Sequence, residues 1–513
     1  MTRPNTAVTN NAAAREAESR VDLPLLILAS FAFLWAVARA CVQSITMDEA
    51  DTYLTWVGRP EPFQWYPSAN NHFLNSALMR VSTSIFGLSH LTVRLPALLG
   101  AAIYIGACFY IVRLIHRNLV PRLLLLICLV YNPFVFDFLV AARGYGLANG
   151  FLLWAVVVPA AGILRKAAPV RICAACSVFV ALSFAANFSL AFADLSVLAM
   201  VFWWICRRDG FSLRLLAAAV LPGSAITIVL PLSTILRWPH GQFVEGVRTL
   251  RDSFGTVIRW SLFELNPQVA SPLMFQIMRR LEHPLLWALV GVVLGRLTML
   301  ILHRRELRDE RSRWLRDLAI VLASAIALAT TAHWLAFRFF GLLLPYNRIA
   351  LFYVPLFTLF VGAIAAIPIE SRMSRMLNGV GISVFSLIAL HFLLSMRLTY
   401  FGEWKYGAEI RDVYSKLAPY NHGYCVTDVG ANWYYSSTLN FYRALSGRES
   451  FIPFEPGLPL RTDKQVYVLH GKFDREFINA QQLTEVYHGN FTDVVIAVRP
   501  ELLLPREPDR PCQ

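Results

Sequence analysis

Long apolar runs alternate with short polar connections over the first four hundred residues of the chain. A helix needs about 20 mostly apolar residues to cross a hydrocarbon core of about 30 Å. Eleven runs of this kind are bounded by charged residues or by Pro and Gly, and they predict eleven transmembrane helices. The predicted spans are 22–46, 89–113, 120–141, 144–164, 168–187, 189–206, 213–237, 284–302, 318–338, 346–368 and 376–397.

The first run is expected to remain in the protein as a helix. A polar tail, 1–21, precedes it, and the run is too long for a signal peptide and lacks a small-residue cleavage pattern. Basic residues then fall in every second loop, as with Arg113 and Arg117 after the second run and Arg207 and Arg208 after the sixth. The positive-inside rule therefore predicts a cytoplasmic N-terminus and, after eleven crossings, an extracytoplasmic C-terminal segment.

The composition agrees with a membrane protein and accounts for its charge. The chain is 56% hydrophobic and 16% charged, whereas an ordinary soluble chain carries about 25% charged residues. The net charge of +14 comes with the alternating basic loops. Because no soluble segment carries a basic stripe interleaved with aromatics, no nucleic-acid partner is expected. The predicted setting is the lipid bilayer of the plasma (inner) membrane.

The tail 399–513 differs in pattern from the rest. Short β-branched runs at 466–469 and 494–498 alternate with a helix-like stretch at 432–443, which predicts a small extracytoplasmic α/β domain. Three parts are thus expected: a cytoplasmic tail (1–21), a transmembrane catalytic domain with a long first outer loop (22–398, loop 47–88) and the C-terminal domain (399–513).

Two of the eight cysteines, Cys425 and Cys512, lie in this C-terminal segment, outside the apolar runs. In an oxidising compartment a disulfide and unpaired thiols are both compatible with the sequence. Whether the two cysteines pair therefore stays open at this point.

Ionisable residues beside membrane helices are costly to keep there and mark candidate functional sites. On the predicted topology they collect at the outer ends of the spans, with Asp48 and Glu49 after the first, Arg143 between the third and fourth, and Arg348 between the ninth and tenth. A secondary transporter would hold its site near the middle of the bilayer on broken helices. The distribution favours an enzyme at the outer face; the alternative is a flippase or transporter of lipid-linked glycans.

The side-chain types indicate the chemistry. Partial burial and mutual repulsion of Asp48 and Glu49 would raise their basicity toward that of a general base, although two solvated acids at a helix end are the simpler interpretation. Arg143, and His72 in the first outer loop, are candidates for stabilising charge on a leaving phosphate. The alternatives are an arginine that reaches the lipid headgroups and an ordinary loop histidine.

Three aromatic residues, Trp65, Tyr66 and Tyr145, accompany these polar groups along the chain. They can pack on a sugar or belong to the aromatic belt at the membrane surface. The sequence has no Walker motif and no HExxH motif, which argues against nucleotide-driven transport and zinc proteolysis.

The order of these parts resembles the GT-C polytopic glycosyltransferases of family 39, relatives of the protein O-mannosyltransferases and the lipid A aminoarabinose transferase. The motifs that carry the resemblance are Thr46-Met47-Asp48-Glu49-Ala50, Asn71-His72-Phe73-Leu74, Val93-Arg94-Leu95-Pro96, Ala142-Arg143-Gly144-Tyr145 and Pro345-Tyr346-Asn347-Arg348. One departure is that many members have His-Pro or Lys-Pro-Pro where this chain has His72-Phe73-Leu74.

The resemblance implies a GT-C fold and inverting transfer of a sugar from a polyprenyl-phosphate donor to an extracytoplasmic glycan, lipid or protein. It implies that Asp48 is the base with Glu49 beside it, and that Arg143, His72 and Arg348 contact the donor phosphate. A lipid phosphate leaves as a stable anion and needs electrostatic help instead of an acid. One base and several cations therefore suffice. The oxygen ligands of Asp48 and Glu49 would suit magnesium or manganese, but one adjacent pair is too few ligands, so no metal or other cofactor is predicted.

Overall fold

The computed structural model describes residues 22–58, 68–239, 241–304, 309–447, 451–455 and 460–503. Helices dominate these ranges. In chain order they are α1 (Leu23–Val42), α2 (Met47–Thr52), α3 (Phe73–Phe86), α4 (His90–Ile115), α5 (Leu119–Val130), α6 (Pro133–Phe138), α7 (Tyr145–Leu164), α8 (Pro169–Ala186), α9 (Ala191–Asp209), α10 (Leu213–Thr227), α11 (Leu250–Leu262), α12 (Pro272–Leu302), α13 (Glu310–Phe340), α14 (Tyr353–Ala366), α15 (Arg372–Leu394), α16 (Ile410–Tyr424), α17 (Trp433–Leu445) and α18 (Arg475–Ala480).

Within the described ranges, ten helices are long and apolar enough to cross a membrane, some of them together with short 3₁₀ or π turns that continue them. They are α1, α4, α7, α8, α9, α10, α12, α13, α14 and α15. The adjoining predictions 168–187 and 189–206 are confirmed as two separate helices, because Asn187 interrupts them and its side chain accepts a hydrogen bond from the Ser189 N–H at 3.0 Å. The chain is therefore a multi-pass membrane protein.

The predicted span 120–141 differs, because it divides into α5 and α6. Asn132 caps the second helix by accepting hydrogen bonds from the N–H groups of Phe134 and Val135, each at 3.1 Å. Pro133 occupies the first turn, where its missing N–H costs nothing. Hydropathy alone merges the two pieces, since both are apolar, and this is why the sequence predicts eleven long spans and the described residues contain ten.

Helices α4, α7 and α14 are the most buried spans of the bundle. The apolar windows of these helices are 61%, 67% and 67% buried, compared with 17% for α10 and for α12. Small residues allow the close contact between α4 and α7, since a Cβ at Gly150 would lie 3.1 Å from the backbone nitrogen of Tyr104. The least buried helices leave apolar side chains for lipid.

The C-terminal segment forms the α/β unit that the sequence predicts. Its strands β1 (Val429–Ala431), β2 (Val466–His470), β3 (Thr484–His488) and β4 (Val494–Val498) form one sheet in the order β1-β2-β4-β3. β1 runs parallel to β2, and the other neighbouring pairs are antiparallel. Cys425 is disulfide-bonded, whereas Cys512 lies outside the described residues.

One tyrosine of α17 joins this unit to the helical bundle. The Tyr442 hydroxyl lies 3.0 Å from the Ser44 hydroxyl, accepts a hydrogen bond from the Ile45 N–H at 3.1 Å, and lies 3.0 Å from Nε2 of His90. These partners lie at the ends of α1 and α4. The sheet unit is therefore held at the end of the bundle that also carries α2.

Candidate active site

Both carboxylate oxygens of Glu49 accept hydrogen bonds from buried donors. Its N–H donates to Thr46 Oγ1 at 3.2 Å, and the Thr46 N–H donates to Glu49 Oε2 at 2.9 Å. Arg94 donates to both carboxylate oxygens at 2.9 and 2.8 Å, and the Ala142 N–H donates to Oε1 at 2.9 Å. Burial alone would raise the pKa of Glu49, but Arg94 and the backbone donors hold it below its ordinary value. This geometry favours a positioning role for Glu49 over the predicted catalytic one.

Asp48, its neighbour, faces two arginines at longer distances than those between Glu49 and Arg94. Its Oδ2 lies 3.2 Å from Nη2 of Arg348 and 3.7 Å from Nε of Arg143. The Asp48 side chain is 8% exposed, and no well-aligned hydrogen bond from a described residue reaches Oδ2. The carboxylate is thus flanked by cations and retains an oxygen that can accept a proton.

Arg143 reaches Asp48 from the turn before α7. Its Nη1 donates to Thr52 Oγ1 at 2.8 Å, and its Nη2 donates to Asn70 Oδ1. The next residue, Gly144, has a φ of 72°, and a Cβ there would collide with the carbonyl oxygen of Ala186. Only glycine accepts this left-handed conformation against a neighbouring backbone without strain. Gly144 therefore lets the chain turn so that Arg143 lies against α2.

Arg348, in the 3₁₀ turn before α14, pairs with an acid that the sequence reasoning missed. Its Nη1 forms an ion pair with Glu403, and its guanidinium lies 5.6 Å from the centroid of the Trp404 ring. Burial, partly offset by Arg348, raises the pKa of Glu403 to about 7. In the sequence, Glu403 is a single acidic residue shortly after the last predicted span, and no motif marks it.

A buried ion cluster fixes the linker that carries Glu403. Asp137 pairs with Arg39 at 2.6 Å and with Arg397 at 3.6 Å. The Gly402 N–H donates to the second oxygen of Asp137 at 2.8 Å. Asp137, on α6, therefore binds both α1 and the linker. The position of Glu403 depends on these contacts, because Glu403 follows Gly402 in the linker.

His72 lies in the site beside Tyr145. Its ring packs edge-on against Tyr145 with centroids 5.1 Å apart, and the residue is buried. Burial, with Arg143 and Arg348 nearby, lowers the pKa of His72 well below its ordinary value of 6.5. The imidazole is neutral near pH 7, so it can offer one N–H to a phosphate but no positive charge. The contact between His72 and the donor phosphate stays a prediction, with one N–H as the group that would make it.

A cavity of about 550 Å³ opens beside these groups. Asn70, His72, Tyr145 and Arg348 contribute polar atoms to its wall. Most of the remaining wall is apolar or aromatic, and its larger members are Phe184, Phe188, Phe192, Ile235, Trp238, Phe243, Val244, Leu342, Leu343 and Ile349. The cavity can therefore hold a molecule with a polar head near the arginines and an apolar body.

The structure thus brings Asp48, Arg143, His72, Arg348 and Tyr145 together, although they come from distant parts of the sequence. The predicted sugar contacts Trp65 and Tyr66 lie outside the described residues. In the described part of the chain, no group of three or more His, Cys, Asp or Glu side chains is arranged to hold a metal ion.

The fold is the GT-C membrane fold, as predicted. It consists of long membrane spans, an acidic helix after the first span, and an α/β unit at the end of the bundle that carries this helix. The chain is similar to ArnT from Cupriavidus metallidurans. Against its apo structure the identity is 12% and the TM-score 0.50, and against its complex with undecaprenyl phosphate they are 11% and 0.51. Each comparison covers 94% of this chain and 99% of the other. No protein-family model and no curated sequence matches the chain. At such low identity the similarity establishes the fold alone.

Proposed function

We propose that the protein is an inverting glycosyltransferase that moves a sugar from a polyprenyl-phosphate donor to an extracytoplasmic acceptor. The observation that carries the proposal is Asp48, held between Arg143 and Arg348 beside a cavity with apolar walls. A carboxylate base, two phosphate-binding cations and an apolar space beside them are the parts that this reaction requires. The complex of the similar protein ArnT with undecaprenyl phosphate supports a lipid of this class as the donor.

Donor binding would place the phosphate at the two arginines and the polyprenyl chain in the cavity. Planar guanidinium groups bind phosphate oxygens two at a time and stay charged at every physiological pH. Arg348 lines the cavity itself, and the neutral His72 can add one hydrogen bond. The arginines stabilise the phosphate most when its bond to the sugar breaks, because its negative charge grows at that moment.

In the transfer step, Asp48 accepts the proton of an acceptor hydroxyl while the hydroxyl oxygen attacks the anomeric carbon. The bond between that carbon and the phosphate oxygen breaks, and the electron pair leaves with the polyprenyl phosphate. A single displacement from the opposite face inverts the anomeric centre. When the donor phosphate occupies Arg143 and Arg348, it shares these two cations with Asp48, so that the base and the leaving group lie side by side.

The replacement Asp48→Asn tests this proposal, because it preserves size and removes the base. With purified protein and radiolabelled polyprenyl-phosphate sugars, we expect transfer to fall by about 10²–10⁴-fold, the usual contribution of general-base catalysis. Binding of undecaprenyl phosphate should persist. The exposed residue Asp412 provides the matched control, since Asp412→Asn alters a carboxylate outside the site and should leave the rate unchanged.

Two results would contradict the proposal. One is full transfer by Asp48→Asn. The other is donor movement across vesicles with no transfer and no effect of Asp48→Asn, which would support the flippase alternative.

We further propose that the reaction needs no divalent cation. The oxygen of Asp48 already lies between two guanidinium groups, whose charge opposes the approach of Mg²⁺ and performs the neutralisation that a metal would otherwise supply. Transfer should therefore continue in excess EDTA. Loss of activity in EDTA with recovery on addition of Mg²⁺ would overturn this expectation.

A further inference from the structure

An exposed group of aromatic rings lies on the C-terminal unit, at the beginning of α17 and after β2. The rings of Trp433 and Tyr434 stack with centroids 4.0 Å apart, and those of His470 and Phe473 also stack at 4.0 Å. Tyr434 lies 6.4 Å from Phe473, which joins the two pairs. Trp433 is 38% exposed and Phe473 65%. We refer to these four residues as the aromatic platform.

The backbone beneath the platform is fixed by hydrogen bonds. Asn432 caps α17 by accepting from the Tyr434 N–H at 3.1 Å, and its amide donates to Asp474 at 2.7 Å. The same carboxylate of Asp474 accepts from the His470 N–H at 2.8 Å. By contrast Tyr435, the next residue of α17, is fully buried in the core. The platform is therefore held in place, with Trp433 and Phe473 exposed and with Tyr434 and His470 half-buried beside them.

The platform is continuous with the proposed base. Tyr434 contacts the ring of Tyr406 edge-on at 4.9 Å. Tyr406 follows Glu403, the partner of Arg348, by three residues in the same linker. Burial raises the pKa of Tyr406, and the carboxylates of Asp48 and Glu403 add to this effect. A row of rings thus leads from the neighbourhood of Asp48 through Tyr406 and Tyr434 to the surface.

We propose that the aromatic platform binds the acceptor and that this acceptor is a carbohydrate chain. The proposal rests on the glycosyltransferase function proposed above. A sugar ring has an apolar face of C–H groups that packs on an aromatic ring, and hydroxyls at its edge that bond to polar neighbours. Rigid aromatic contacts with a few polar groups at the rim are the usual form of a small-molecule site. His470 and Asp493, whose side chains lie 3.2 Å apart at the platform edge, supply those groups.

The rim distinguishes this surface from an interfacial membrane belt. Asp493 is 37% exposed beside His470, and Asp474 lies directly beneath the rings. Carboxylates of this kind are costly next to lipid, whereas sugar hydroxyls donate hydrogen bonds to them. A saccharide therefore fits the combination of rings and acids better than a bilayer does.

The test is binding of soluble oligosaccharides to the full chain in nanodiscs. Hexasaccharides of linear glucan, mannan and arabinan are titrated, and saturation-transfer NMR identifies the protons that touch protein. We expect at least one series to bind through its ring C–H protons. The double variant Trp433→Ala/Phe473→Ala should weaken that binding about tenfold or more, because it removes both exposed rings on which a sugar would pack.

Two variants control for folding and for simple loss of apolar surface. Phe473→Tyr retains the ring and should keep the affinity. Ile452→Ala removes an exposed apolar side chain elsewhere on the same unit, 47% exposed, and should change nothing. A misfolded double variant is recognised because it would also lose binding of undecaprenyl phosphate.

The proposal is overturned if none of the oligosaccharides binds, or if the double variant binds them as well as the wild type. It is also overturned if brominated lipids in the nanodisc quench a smaller share of the fluorescence in Trp433→Phe than in the wild type, since Trp433 would then be one of the quenched tryptophans and would lie in the bilayer. Oligosaccharide binding does not depend on Asp48. Failure of the platform would therefore leave an Asp48-dependent transfer standing, and failure of transfer would not by itself remove platform binding.

Discussion

Asp48 and Glu49 are adjacent carboxylates of one short helix, yet their surroundings give them different capacities. Glu49 receives fixed hydrogen bonds at both oxygens, and its partner Arg94 is fully buried. Asp48 lies between Arg143 and Arg348, with one oxygen free of aligned donors from the described residues. The difference arises because successive residues of a helix point about 100° apart.

Glu403 provides a prediction of pH dependence. Its pKa of about 7 exceeds the ordinary 4.5, so the folded protein binds a proton there that the unfolded chain releases. The contribution of Glu403 to stability is present below about pH 4.5 and is lost as the pH rises through about 7. Above that pH the charged carboxylate also competes with the donor phosphate for Arg348. We expect the donor KM to rise between about pH 6 and pH 8.

The variant Glu403→Gln should abolish that rise, because a neutral amide cannot ionise. The measurement is the donor KM as a function of pH for both proteins. An unchanged rise in Glu403→Gln would show that another group causes it.

At the scale of elements, α2 is held against α4 by a buried ion pair. The side chains of Glu49 and Arg94 are both 0% exposed and lie 2.8 Å apart. Removing one partner of such a pair leaves an uncompensated buried charge, which costs about 3–5 kcal/mol. Because α2 carries Asp48, loss of the pair should also disturb the site.

The variant Glu49→Gln should therefore lower the free energy of unfolding by about 3–5 kcal/mol, seen as a lower Tm in detergent. Glu476→Gln is the matched control, since Glu476 is exposed on α18 and its loss should shift the Tm little. If Glu49→Gln were as stable as the wild type but inactive, a direct catalytic role for Glu49 would replace the positioning role.

At the scale of the whole molecule, two cavities with charged residues in their walls lie at opposite ends of the helical bundle. The site and the sheet unit share one end. At the other, a second cavity of about 460 Å³ is lined by residues that include His116 and Arg117 after α4, Arg296 in α12 and Arg311 in α13. This separation is consistent with the predicted topology, in which the basic loops are cytoplasmic and the site is outside.

Cysteine labelling in sealed vesicles tests that orientation. In a variant with Cys41 replaced by Ala, Asp412→Cys on the sheet unit should react with a membrane-impermeant maleimide from the extracytoplasmic side. Arg171→Cys, at the start of α8, should react only after permeabilisation. The opposite pattern would invert the topology and move the proposed site to the cytoplasmic face.

Much of the fold could be predicted because local composition determines it. An apolar run must form a helix in a membrane, where every backbone polar group needs an internal partner. Local composition also predicts the strands of the C-terminal unit, where β-branched runs such as 466–469 form buried strands. The prediction failed at 120–141, where the break depends on one side-chain cap at Asn132 that hydropathy does not register.

The sequence by itself determined the membrane helices, the α/β unit and the presence of acids and arginines near the outer ends predicted for the spans, because hydropathy and charge act on neighbouring residues. Only the tertiary structure decided which of these groups meet. It places Arg348 beside Asp48, although the two lie three hundred residues apart in the chain, and it brings Glu403 to the same site. It also binds both carboxylate oxygens of Glu49 to Arg94 and buries His72, which lowers the pKa of the imidazole. Distance and burial set each of these interactions, and both arise from packing between segments that are far apart in the chain.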